Sequence, residues 1–168
     1  MIAQAGAAPG NHYPQGQQSV PCYSEACRFS QPEDFMTALT LINPPRLYDS
    51  SPNAYSQLAL VPAGRRLVYV SGQGGDNPDG SFSADFRTQA ASAFRNVGIA
   101  LDACGATPSD VAKITVLIVE HDMQKLHIMQ SEQRVLFGAH HPAATLIPVP
   151  CLALPGMLIE VEAIAAVA

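Results

Sequence analysis

The chain has 168 residues, nine basic against fourteen acidic for a net charge of −5, 48% hydrophobic residues and only 14% charged ones. That length bounds one domain with room for a tail, and the apolar share fills a core and excludes wholesale disorder. The acidic, charge-poor balance lacks the electrostatic footprint of a nucleic-acid binder and suggests apolar surface buried between subunits.

No apolar run approaches the ~20 residues of a membrane helix. The opening Met1–Gly10 lacks the basic and apolar regions of a secretory signal. A cytoplasmic protein with no membrane partner is therefore expected. Of the four cysteines, Cys22 and Cys27 could bridge locally, but C-x4-C without a second pair is a poor zinc site. Free thiols are the plainer reading, and no metal is expected.

Residues 1–40 read as an extension, partly flexible. Met1–Pro21 is rich in Gly, Gln, Pro and Ala, and a short helical turn is expected behind Pro32. Phe29 to Leu39 would pack on the body through its apolar residues. The domain proper is expected over 41–168. Tyr55–Val61 and Leu67–Ser71 read as a hairpin across the Pro62-Ala63-Gly64 turn, followed by a glycine-rich loop at Gly72–Gly75.

A helix is expected from Ala84 to Cys104. Phe86, Ala90, Ala93, Phe94, Val97 and Leu101 share one face, Ser83 is the candidate N-cap and Gly105 the stop. Thr107–Asp110 reads as a capped turn and Lys113–Val119 as a β-branched strand. Asp122 caps a second helix, Met123–Phe137, with Leu126, Met129, Gln133 and Leu136 on one face. Strands follow at Ala144–Val149 and Leu158–Val167. The order implies an α+β sheet with two helices on one face, the other face covered by another subunit.

Tyr55-Ser56-Gln57 and Tyr69-Val70-Ser71-Gly72-Gln73 resemble the opening of the Rid/YjgF (endoribonuclease L-PSP) family. So do Gln89, Phe94 and Asn96-Val97 in the first helix, Asp110–Val116, and the closing Ile159-Glu160-Val161-Glu162-Ala163-Ile164-Ala165. The resemblance spans 41–167. It implies a chorismate-mutase-like fold, a homotrimeric barrel with helices outside, and small-molecule clefts between subunits. Active members hydrolyse reactive enamines and imines and need no cofactor.

That chemistry asks for a bidentate cation on a substrate carboxylate and a carboxylate that orients water. By resemblance, Glu160 is the water-positioning carboxylate. The family's P-A-R motif reads Pro142-Ala143-Ala144, so Ala144 stands where the arginine would be. Tyr55, Ser71 and Gln73 match cleft-lining positions, and His141 and Arg87 are candidate replacement cations. Each has a plainer alternative: a rim carboxylate for Glu160, hairpin packing for Tyr55 and Ser71, a loop tie for Gln73, a solvated surface for His141 and Arg87. Gly72–Gly75 lacks the G-K-[ST] ending of a phosphate loop. The expected function is a Rid-type deaminase whose substrate is not the usual 2-imino acid. The alternative is a non-catalytic trimer that binds a small ligand or partner protein. A ribonuclease would need a basic patch that is missing here.

Overall fold

The structure, a computed structural model, describes residues 38–77 and 79–168. The expected extension lies outside the described residues up to residue 37, as do Cys22, Cys27 and the turn behind Pro32. The elements in chain order are β1 (Thr40–Ile42), β2 (Leu58–Leu60), β3 (Arg66–Gly74), α1 (Phe86–Asp102), β4 (Val111–Val119), α2 (Met123–Phe137), β5 (Ala143–Val149) and β6 (Ile159–Val167).

Four strands form one sheet in the order β3-β6-β4-β5. β6 runs antiparallel to both neighbours, whereas β4 and β5 are parallel. A parallel pair needs a crossover, and α2 supplies it. Two-residue alternation sorts the side chains. Ile159, Val161, Ala163 and Ala165 of β6 are buried with Ile114, Val116 and Ile118 of β4 beneath Phe94, Val97 and Leu101 of α1. The helices meet edge-to-face through Phe94 and Phe137, ring centres 6.4 Å apart. Gly98 permits the close approach, since a Cβ there would stand 3.2 Å from Leu136 Cδ1.

No described element covers the opposite face of the sheet. Leu67, Tyr69 and Ile147 remain 44%, 71% and 43% exposed. Lys113, Thr115, Glu160 and Glu162 lie among them, fixed on that face by the register.

Three expectations are corrected. β2 does not pair with β3: it pairs with β1, Leu41 opposite Ala59, in a separate two-stranded sheet, while β3 pairs with β6. Turn chemistry at Pro62-Ala63-Gly64 predicts that the chain reverses, not which strand it meets. The glycine run is no free loop either, for β3 continues to Gly74, which lies opposite Glu160. A register shift between Val70 and Gln73 absorbs Ser71 and Gly72 as a bulge. Finally, α1 is capped by Asp85, not Ser83. The Asp85 carboxylate accepts from the Thr88 N–H at 2.8 Å and from Thr88 Oγ1 at 2.7 Å, while Ser83 Oγ accepts from the Asp85 N–H. The Gly105 stop stands, in left-handed conformation at φ +72°.

Candidate functional site

Glu160 points from β6 onto the open face and lies over the bulge of β3. A Cβ on Gly72 would come within 1.8 Å of Glu160 Oε1, so only glycine leaves room for the carboxylate in this seat. Glu160 is half-buried, and its carboxylate accepts no hydrogen bond from the described residues. Ser71 sits exposed at the same bulge. Gln73 turns back on it, its Nε2 donating to Ser71 O at 3.0 Å and to Gly72 O at 3.4 Å. Glu160 and Ser71 thus meet at the bulge, whereas Gln73, opposite Val161, lies on the other face of the sheet in a groove with Asp76, Arg95 and Asn96.

The strand end beyond the bulge is held from the helix layer. Asn96 Nδ2 donates to Gly74 O at 3.1 Å. Gln89 is fully buried and fully used: Nε2 donates to Ser83 O and Gly156 O at 2.6 and 2.7 Å, and Oε1 accepts from the Leu158 N–H at 2.9 Å. One side chain thereby ties α1 to the segment leading into β6, next to Glu160. Gly75 lies against the backbone of Gln89, where a Cβ would meet its Cα at 2.5 Å.

Tyr55 and Ala144 lie elsewhere in the chain. Both line a cavity of about 600 Å³ on the helix side of β5, under α2. Its floor is apolar, with Val116, Leu146, Met129 and Leu126. Its wall is the segment before β2, anchored by the backbone bond from Ser56 N to Pro142 O and by Arg134 of α2 donating to Pro52 O. Gln133, on the apolar stripe of α2, is only 2% exposed and donates through Nε2 to Ala54 O. Ala54 takes a left-handed φ of +61° to present that carbonyl. Gln133 was visible in sequence as a polar residue on an apolar face, yet spacing alone did not mark it as a cavity residue. Among the described residues no charged side chain lines the cavity.

Neither candidate cation lines the cavity. Arg87, at the start of α1, pairs with Glu132 of α2 at 3.5 Å on the outer helix layer. His140 Nε2 donates to Val111 O at 2.7 Å, and His141 precedes β5, half-buried. Thr145, beside Ala144 on the cavity rim, instead accepts from Lys113 Nζ, a lysine of the open face whose pKa is lowered by burial. Among the described residues no three His, Cys, Asp or Glu side chains stand close enough to hold a metal ion, and no helix is long and apolar enough to cross a membrane.

Comparison with known proteins identifies the family and the fold. The model of the family described as Endoribonuclease L-PSP matches residues 49–167. The human 2-iminobutanoate/2-iminopropanoate deaminase is 34% identical over 114 residues, which cover 66% of this chain and 78% of that protein. The RutC family protein YjgH of Escherichia coli is 32% identical over 99 residues, 59% of this chain and 74% of the relative. Among solved structures, the Rid-family protein YyfB of Yersinia pestis superposes with a TM-score of 0.73 at 30% identity, covering 78% of this chain and all of its own. A matched model over most of the chain, relatives above 30% identity and the shared α+β architecture agree: the chain belongs to the Endoribonuclease L-PSP family, also called Rid/YjgF.

Proposed function

We propose that this chain is a Rid-type hydrolase that deaminates a small reactive imine or enamine, or a related labile amine, and that its substrate is not a standard 2-imino acid. The observation that carries the reading is the seat of Glu160. Its carboxylate is held above Gly72, beside Ser71, with no hydrogen-bond partner among the described residues. A carboxylate so placed accepts from a water, orients it toward the C=N carbon and takes its proton as the C–O bond forms. Ammonia leaves and a carbonyl remains, with no metal or organic cofactor required. Relatives named as 2-iminobutanoate/2-iminopropanoate deaminases support the reaction class.

Glu160 and the cavity of Tyr55 and Ala144 lie on opposite faces of the sheet. In this reading a complete cleft is assembled between copies, in a homotrimer whose open sheet faces meet. Ala144 removes the bidentate cation that would hold a substrate carboxylate, which argues against ordinary 2-imino acids. The uncharged lining of the cavity argues the same way. His141 and Arg87 remain the residues to replace should a carboxylate bind after all.

The test is ammonia release from 2-aminoacrylate made in situ and from a panel of imines without a carboxylate. Activity on the second group, reduced at least about a hundredfold in Glu160→Gln, is the expected result. Ala144→Arg should gain at least about tenfold on 2-aminoacrylate. Ammonia release that is indifferent to Glu160→Gln overturns the mechanism. No release from any substrate returns the chain to the second reading, a trimer that binds ligands without turning them over, which the missing arginine favours.

A further inference from the structure

Two glutamines on the cavity wall are turned the same way. Gln133 and Gln57 each hold the NH2 end of the amide against a backbone carbonyl, of Ala54 and of Tyr48 respectively, the latter at 2.9 Å. A carbonyl only accepts, so the nitrogen must be the end that faces it and the orientation of each amide is fixed. What remains is Oε1, and neither Oε1 accepts a hydrogen bond from the described residues. Gln133 is 98% buried by its 2% exposure, so its unpartnered oxygen has only the cavity to face. The other polar groups of the described lining are the Tyr55 hydroxyl, the amides of Asn53 and Gln130, and Thr145, whose hydroxyl is engaged by Lys113; the floor is apolar, and no ammonium, guanidinium or carboxylate is among the described lining residues.

We infer that this cavity takes an uncharged ligand whose polar end donates N–H and whose body is apolar, and that Gln133 Oε1 is the acceptor that selects it. The inference deepens the proposed function and rests on its cleft, naming the substrate class as a neutral amine, enamine or amide-like molecule without a carboxylate. A carboxylate entering here would lose its water without meeting a cation, whereas an N–H donor gives Gln133 Oε1 a partner that no described residue supplies. At about 600 Å³ the cavity has the size of an ordinary small-molecule site.

The probes are 3-methylbutanamide and 3-methylbutanoate, which share one carbon skeleton, titrated into the full chain at pH 7 with ligand-observed NMR. The amide should bind at least about tenfold more tightly than the acid. Gln133→Leu should lower amide affinity about five- to tenfold while leaving the acid unchanged. Gln133→Met, which keeps the side-chain length, provides the same reading if the leucine variant fails to fold. Ala144→Arg should reverse the preference. An acid that binds as tightly as the amide, no amide binding at all, or amide affinity indifferent to Gln133 in a folded variant overturns the inference. The ammonia assay separates the two claims. Amide binding without turnover leaves the ligand class standing and removes the hydrolase. Glu160-dependent turnover with amide and acid bound alike does the reverse.

Discussion

Gly72 and Gly75 stand three residues apart and make opposite demands on a substitution. At Gly72 the clash is with the tip of the Glu160 side chain, which can swing away. Gly72→Ala should therefore leave the melting temperature nearly unchanged while displacing the carboxylate, so ammonia release falls toward the level of Glu160→Gln. At Gly75 the clash is with the Gln89 backbone, inside α1, which cannot yield without moving the helix. Gly75→Ala should cost about 1–3 kcal/mol, read from denaturant unfolding, as overpacking of a tight contact does. Comparable stability loss in the two variants would mean that the Glu160 seat is structural. The same pair shows what was legible at this scale. The glycines were visible in sequence as a loop. Their separate roles were not, because each depends on a residue far along the chain, Glu160 in one case and Gln89 in the other.

The helices were the most legible elements, since their periodicity and capping residues are local. α2 runs Met123–Phe137 behind Asp122, which accepts from the Lys125 N–H at 2.7 Å. The cap of α1 was misplaced by two residues because Ser83 and Asp85 are both competent caps, and the second carboxylate oxygen of Asp85 reaches two donors of Thr88. Those bonds hold the Asp85 carboxyl below its ordinary value of 3.8. A carboxylate with a depressed folded pKa contributes stability above its unfolded pKa, and the contribution is lost as pH falls through the folded value. Asp85→Asn keeps an N-cap acceptor without the titration. The wild type should melt higher than Asp85→Asn near pH 7, and that advantage should shrink as pH falls below about 4. A difference in melting temperature that stays constant down to pH 2 would count against a role for the charge. Strand partners were least legible. β2 has three residues and nothing in its alternation distinguishes β1 from β3 as its mate. Long-range pairing is decided by the sheet as a whole.

At the scale of the molecule, the uncovered face carries the strongest expectation. Tyr69 and Leu67 of β3 and Ile147 of β5 present apolar surface beside Thr115 and Glu162. A surface of that kind is characteristic of an interface between copies. Light scattering should give three times the chain mass of 17.8 kDa. Tyr69→Glu, which places a charge where the faces would meet, should shift the population to lower mass and remove ammonia release together with it. A monomeric wild type with full activity would overturn the shared cleft. This level also explains why the candidate site was only half legible. Glu160 and Ser71 meet at the bulge of one protomer, whereas Gln73 faces α1 and Tyr55 and Ala144 face a different cavity, and no residue pattern announces the bulge and pairing that separate them. The amides of Gln57 and Gln133 escaped notice because their meaning lies in which end of each is engaged.

The position of β6 has a consequence for synthesis. It is the last strand of the domain to leave the ribosome, yet it lies between β3 and β4 and supplies hydrogen bonds to both. Until Ile159–Val167 emerges, β3 has no partner in the four-stranded sheet and the core beneath α1 lacks one side. The nascent domain must therefore wait, with its apolar strands exposed, and then close in one late step over widely separated contacts. A product of premature termination before Ile159 would emerge as a substrate for chaperones and proteases rather than as a smaller folded protein.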